Sequence, residues 1–446
     1  MLQVTRARAG VAAENAEEFG TLSSNSSSSR LPWALAWRLA VGQIVAWGIL
    51  YYAFTVIVGP MQAGTGWSRP FLNSGLSIGL LAWGVVAYPV GVWIQRHGAR
   101  GLMTAASALG GGSLILMGSM VSPIAYVIAW AGLGSAMAGM LYDPAFAVIT
   151  RAFGEHYRRG ITLVTLVGGL ASTVFIPLAQ LAVDTLGWRA ALIALGVFKF
   201  AVGVPLHHWG LPRTETGVQP LGHVSTTPLR GWFARFRADV ADPRFVGLAL
   251  WFASHSAVFT GLIFQLVSLF QARGVPTATI LTAIAVIGPM QVLGRFFFSA
   301  RASNFSSLRV GRWALGGGIG ALTIALIAPP SLFWLVIFAA CWGLSNGLQT
   351  IVRGTAVAEL FGRERYAEIN GALAAPSVLA RAAAPLVFAS AWTYSGQPGV
   401  VFAVALVLLG LGTCGLFATV RATRRLGAAE FNGASARVNV TTPADN

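Results

Sequence analysis

Twelve apolar blocks recur between residues 33 and 420, each long enough to cross a bilayer and separated from the next by a short polar gap. A hydrocarbon core about 30 Å thick is crossed by about 20 apolar residues in a helix. Open backbone polar groups are not tolerated in lipid, so runs of this length must be helical. The expected spans are 33–60, 71–94, 101–121, 124–148, 161–183, 189–211, 245–270, 277–299, 309–328, 332–352, 369–392 and 399–420. Those at 277–299 and 369–392 are interrupted by Arg295 and Arg381.

Only 10 % of the 446 residues are charged, whereas a soluble domain has about 25 %. The longest polar gap, 212–244, is too short to fold alone. The expectation is therefore an all-α membrane protein with no soluble domain. Residues 1–32 read as a disordered cytoplasmic tail, polar and Ser-rich, without the apolar stretch of a signal peptide. A six-helix half at 33–211, a central loop at 212–244, a six-helix half at 245–420 and a disordered tail at 421–446 follow. Cys341 and Cys414 both fall in apolar blocks, so no disulfide framework is expected.

The net charge is +16, and the 30 basic residues are 29 arginines and a single lysine, Lys199. Such a balance suits nucleic acid, but here the arginines sit in alternate gaps. One set of gaps and both tails hold 22 of them, and the other set holds Arg69, Arg189 and Arg273. The remaining four, Arg38, Arg295, Arg353 and Arg381, lie inside spans. Basic loops stay in the cytoplasm. Both termini and the central loop are therefore expected inside, in a bacterial inner (plasma) membrane, with no nucleic-acid partner.

The two halves repeat at a nearly fixed offset. Gly66 and Gly274, Gly139 and Gly347, Phe153-Gly154 and Phe361-Gly362, and Pro177 and Pro385 are each separated by 208 residues. Ala108-Leu109-Gly110-Gly111-Gly112 returns as Ala314-Leu315-Gly316-Gly317-Gly318, at 206. Order, spacing and helix number are all kept. A parallel six-plus-six repeat is one transporter architecture.

The gap after the second span reads Gly91-Val92-Trp93-Ile94-Gln95-Arg96-His97-Gly98-Ala99-Arg100. Over residues 33–420 the chain resembles the major facilitator superfamily, whose loop pattern here is G-x-L-a-D-r-x-G-r-[kr]. Gly91, Arg96, Gly98 and Arg100 fit it; Trp93 replaces Leu, and Gln95 replaces the acid. The resemblance implies that this segment gates the carrier, and that a neutral Gln95 changes a latch otherwise made by charge. Gly187-Trp188-Arg189 is also common in that family, whereas its fourth-helix arginine motif is absent from residues 128–136. Gly66-Trp67-Ser68-Arg69 is similar to the monocarboxylate-porter-like branch. The family fold implied is twelve helices in two pseudo-symmetric halves, rocking around a cavity lined by helices 1, 4, 7 and 10.

Polar side chains inside spans are costly in lipid, and they mark pathways or partners. Arg381 lies mid-span among small residues, between Pro376 and Pro385. It reads either as an anion-binding guanidinium or as one side of an inter-helix clamp. Trp342, Asn346, Gln349 and Arg353 share a helical face at spacings of 4, 3 and 4. Gln43, Trp47 and Tyr51 do the same in the first span, with Tyr52 on a flanking face. Both stripes suit a solute cavity, and both suit helix packing. Tyr142 and Asp143 lie in the fourth span, where Asp143 is the lone carboxyl at this depth. Asp143 reads as a proton carrier or as a brace to Arg353, which lies at similar depth in the opposite half. His255 is a further candidate lining residue, Arg295 resembles the helix 8 arginine of monocarboxylate-type carriers or is an inside-facing anchor, and His207 and His208 are interface residues. Lys199 has no evident partner.

No H-E-x-x-H or C-x-x-C is present, no G-x-S-x-G lies at a strand–helix turn, and Lys199-Phe200 cannot complete a Walker-type site. An enzyme is not expected, nor is a cofactor or a bound metal. The expected function is secondary active transport of a small organic, anionic solute by alternating access with proton coupling, in a monomer. The alternative is an efflux carrier for a hydrophobic drug or toxic metabolite. The arginine split makes one direct prediction. In a protein otherwise free of cysteine, Ser225→Cys is labelled by an impermeant reagent from the cytoplasmic side alone; labelling from outside refutes the orientation.

Overall fold

In the computed structural model the described residues are 31–212, 236–263, 265–301 and 305–440, with the side chains of 299–301 and 427–440 left aside. One compact unit begins at Ala34; the other, Met1–Trp33, lies almost wholly outside the described residues. The tail expected at 1–32 and most of the central loop, including position 225, also lie outside them.

Among the described residues, eleven helices are long and apolar enough to cross a membrane. One of them, Gly154–Gly210, has 57 residues. At 1.5 Å per residue it would extend about 85 Å, far more than one bilayer. The chain turns inside it at Gly187, whose φ of 77° and ψ of 159° are open to glycine but strained for other residues. That break gives twelve spans. They are α1 (Trp33–Thr65), α2 (Arg69–His97), α3 (Arg100–Ser119), α4 (Pro123–Ala152), α5 (154–186), α6 (188–210), α7 (Pro243–Ile263), α8 (Thr277–Phe298), α9 (Ser307–Ile327), α10 (Leu332–Phe361), α11 (Tyr366–Ser395) and α12 (Pro398–Leu426).

The arginine-interrupted spans both form, as α8 and α11. Other expectations need correction. The span expected over 245–270 stops at Ile263 and resumes as a short helix, Leu266–Gln271. The spans expected at 332–352 and 369–392 extend to Phe361 and start at Tyr366, because polar residues end a lipid-crossing run before they end a helix. The disordered tail expected from 421 is helical as far as Val440. No proline falls between Pro398 and Pro443, so nothing in that stretch forces the helix to stop.

The repeat is visible in the backbone. Gly66 and Gly274 have φ of 72° and 81°, and Gly154 and Gly362 have φ of 53° and 79°. Each pair therefore shares a positive φ at the matching position of its own half.

Helices α2 and α11 bring the two halves together. A Cβ on Gly91 would overlap the carbonyl of Ala367, and one on Gly371 would lie 2.7 Å from the carbonyl of Ala87. Such small-residue contacts let membrane helices approach through their backbones. Nearby, the Gln95 Nε2 donates to the Glu364 carbonyl across the halves. With cysteines introduced at positions 95 and 364, oxidation should cross-link the halves. Adding Gly91→Val should cut the cross-linked fraction severalfold, because a branched side chain there forces the helices apart. An unchanged yield contradicts this packing.

Candidate functional site

Two breaks in helices build the site. In α4, Pro144 has no N–H to give, and its ring crowds the carbonyl of Met140. The helix accordingly stops at Met140 and restarts over Tyr142–Ala152. Asp143 thereby sits in a first helical turn, where the helix dipole favours a carboxylate. In α1, a π-helical turn spans Gly48–Tyr52. Such wide turns often occur at functional sites. Trp47 becomes the hub of an aromatic cluster, its ring centroid 5.5 Å from Tyr51, 6.4 Å from Tyr52, 6.1 Å from Trp83 and 5.3 Å from Tyr142.

Asp143 is tied to the other half. Arg353 donates to its Oδ1 at 3.2 Å, and Asn370 Nδ2 donates to the same oxygen at 3.0 Å. The second arm of Arg353 reaches Ser377 Oγ at 3.1 Å. The Asp143 and Arg353 side chains are 14 % and 19 % exposed, so the pair is mostly withdrawn from solvent.

Arg381 is different. Among the described residues it has no hydrogen-bond or ion-pair partner. Its guanidinium lies 5.5 Å from the centroid of Trp83. Tyr51, Tyr52, His255, Asp143 and Arg353 all lie within electrostatic reach. Opposite stands a stacked series from α7 and α10: His255 to Phe259 at 6.4 Å, Phe259 to Trp342 at 5.7 Å, and Trp342 to Phe338 at 6.1 Å. The buried indole N–H groups of Trp47, Trp83 and Trp342 and the Oε1 atoms of Gln265 and Gln349 are unpartnered among the described residues.

The structure thus brings together Trp47, Tyr51, Tyr142, Asp143, Arg353 and Arg381 from the expected set. His255 and Trp342 form the α7–α10 stack, Gln349 is buried, and Asn346 is half-buried on its helix face. Gln43 is a correction. It is fully buried and donates to the Met140 carbonyl at 2.8 Å, so it packs α1 on α4 and lines no open cavity in this conformation. Tyr52, placed on a flanking face by α-helical spacing, joins the cluster where the helix is π. Arg295 is no anchor: it is buried and donates to the Thr165 carbonyl at 2.8 Å, across the halves. His207, in the last turn of α6, is buried against its neighbours and not exposed. Sequence reasoning missed Trp83, Phe259, Asn370 and Ser377. A signal existed for two of them, since Asn370, Ser377 and Arg381 share one face of α11 at spacings of 7 and 4.

The segment 91–100 lies where the halves meet. Gly91 permits the α2–α11 approach, Gln95 bridges to Glu364, and Gly98 turns the chain toward Arg100 at the start of α3. Arg96 is in the last turn of α2. The bridge from Gln95 is an amide-to-carbonyl hydrogen bond in place of an ion pair. Around it, Arg158 pairs with Glu359 at 2.7 Å, Tyr88 donates to Glu368 at 3.4 Å, and Arg365 pairs with Asp239 at 2.7 Å. Burial alone would lower the Arg365 pKa, but Asp239 and Glu368 outweigh it and raise it. Among the described residues, the hydrogen bonds and ion pairs between the halves lie between mid-depth and the arginine-rich face.

A sequence model of the Major Facilitator Superfamily matches residues 39–385. The chain belongs to this superfamily. Among solved structures, FucP in its outward conformation aligns with a TM-score of 0.66 at 11 % identity, covering 85 % of this chain and 97 % of that one. The proton:xylose symporter XylE aligns at 0.65 and 13 % identity, covering 87 % and 95 %. The human organic anion transporter MFSD10 aligns at 0.61 and 14 % identity, covering 86 % and 99 %. At these identities they establish the fold. Two curated relatives match over shorter stretches. An uncharacterized 38 kDa protein of Thermoproteus tenax is 30 % identical over 42 % of this chain and 49 % of its own length. Human monocarboxylate transporter 11 is 27 % identical over 31 % of this chain and 36 % of its own length. The chain therefore spans half or less of each of these relatives. It is an integral, multi-pass membrane transporter and not an enzyme.

The Asp143–Arg353 contact makes a stability prediction. Asp143→Asn leaves Arg353 without its counter-charge, and breaking a buried pair costs about 3–5 kcal/mol. Its melting temperature in detergent should fall, and adding Arg353→Gln should recover about half of the loss. A single variant as stable as the wild type contradicts the pairing.

Proposed function

We propose that the protein is a secondary active carrier of a small organic anion, driven by protons and working by alternating access. Arg381 carries this reading: a guanidinium at mid-membrane depth, with no partner among the described residues, faces an aromatic chamber that offers indole N–H donors. A buried charge is retained in lipid where it has a function or a partner, and a planar carboxylate supplies the bidentate acceptor that guanidinium prefers. The fragmentary likeness to monocarboxylate transporter 11 agrees with an acidic solute.

With the arginine-rich face cytoplasmic, the conformation here is closed on the inside and faces outward. Inward opening must break the bridges at Gln95, Arg158 and Asp143. Asp143 is the coupling group: protonation removes the charge that holds Arg353, so proton binding and the rocking of the halves are linked. The carrier acts as a monomer, since each site is complete within one chain. The aromatic cluster around Trp47 supports a second reading, the export of a hydrophobic drug or metabolite.

The two readings part at Arg381. A thermal-shift screen of the purified protein against carboxylates, amino acids, sugars and drugs identifies a stabilising solute. For an anion carrier, Arg381→Ala abolishes that stabilisation, and Arg381→Lys weakens it at least about tenfold because the planar fork is lost. Stabilisation by neutral hydrophobic compounds, unchanged in both variants, favours export and removes the anion reading.

A further inference from the structure

Lys199 is the single lysine of the chain and is fully buried in α6. Its Nζ has no hydrogen-bond partner among the described residues. It occupies space left by a glycine: a Cβ on Gly203 would lie 2.9 Å from Lys199 Nζ and 3.1 Å from Ser107 Oγ. Ser107, fully buried on α3, is hydrogen-bonded to His207 Nδ1 at 2.7 Å. His207 Nε2, also unpartnered, would lie 3.2 Å from a Cβ on Gly42 in α1.

Among the described residues, no acid faces this cluster. The sequences of α1, α3 and α6 contain no Asp or Glu. The neighbouring acids are accounted for: Asp143 holds Arg353, Asp184 accepts from Gln180, and Glu155 is exposed. The facing groups are Ser107 on α3, with Arg100 at that helix's start; Gln43 on α1, with Arg38 bound to the Gly210 carbonyl at the helix end; Met140 on α4; and His207 on α6 itself. A permanent ammonium in such a place would be an uncompensated charge in an apolar interior.

We propose that Lys199, Ser107 and His207 form a proton-binding site inside the first six helices, separate from the Asp143–Arg353 contact. Solvent supplies the proton through His207: as Nε2 gains a proton the Nδ1–H bond breaks toward Ser107 Oγ, and Oγ gives the proton it held to Lys199 Nζ once the two side chains rotate into hydrogen-bonding range, leaving His207 and Ser107 neutral and one new N–H bond on Nζ. The reverse transfer empties the site. His207 lies three residues from the end of α6 at the arginine-rich face and is closed off from solvent here. Loading therefore requires that face to open. This inference is independent of which solute the carrier moves.

The lone lysine makes the test direct. The full-length protein, grown with lysine carrying nitrogen-15 at Nζ, gives one side-chain signal that needs no assignment. Burial favours the uncharged amine, so the signal should pass from the ammonium to the amine position below the ordinary lysine range, between about pH 6 and about pH 9. His207→Gln should move the midpoint or slow the exchange, and Ser107→Ala provides the same readout if the first variant does not fold. A wild-type signal that stays at either the ammonium or the amine position throughout overturns the proposal. So does a transition that both variants leave untouched.

Discussion

The two six-helix bundles meet along a seam of polar contacts and close backbone packing, and the Asp143–Arg353 pair is its deepest charged contact. Each bundle of six helices satisfies its backbone internally, and lipid provides little force to push the bundles together. What joins them is therefore specific. Arg353 and Asn370 converge on Asp143 at mid-depth, and Ser377 accepts from the other arm of Arg353. Between that point and the arginine-rich face, close backbone packing at Gly91 and bridges from Gln95 and Arg158 continue the seam. A seam made of a few polar contacts can be held or released as a unit, as a two-state device requires.

The aromatic cluster beside this seam follows the opposite principle: buried polar atoms of Trp47, Trp83 and Trp342 have no partner among the described residues. The π-helical turn in α1 turns Tyr51 and Tyr52 toward Trp47, while α7 and α10 contribute the His255–Phe259–Trp342 series. Arg381 supplies the full positive charge near Trp83. Paired charges thus join the halves, and Arg381, without a hydrogen-bond or ion-pair partner among the described residues, lies against Trp83.

Much of this was legible in the sequence, for a simple reason. A bilayer imposes a length on every apolar run, so span number and order could be read directly. The same scarcity of charge in lipid made Asp143, Arg353 and Arg381 conspicuous. Gln43 was misread because helical spacing gives a face without saying what that face meets, and here it meets α4. Tyr52 escaped because spacing assumed 3.6 residues per turn where the helix is π. Asn370 and Ser377 are ordinary polar residues, and their importance arises from contact with Asp143 and Arg353, which no single helix reveals. The helical extension to Val440 lay in a polar segment, where hydropathy carries no signal for helix.

The central claim is that neutralising Asp143 releases a rigid seam and lets the halves rock. Paired spin labels measure this directly, one pair at His97 and Arg363 on the arginine-rich face and one at Val121 and Gln397 on the other face. In lipid nanodiscs, Asp143→Asn should add a longer distance to the first pair and a shorter distance to the second. Unchanged distances in both pairs, or lengthening of both together, would contradict the account.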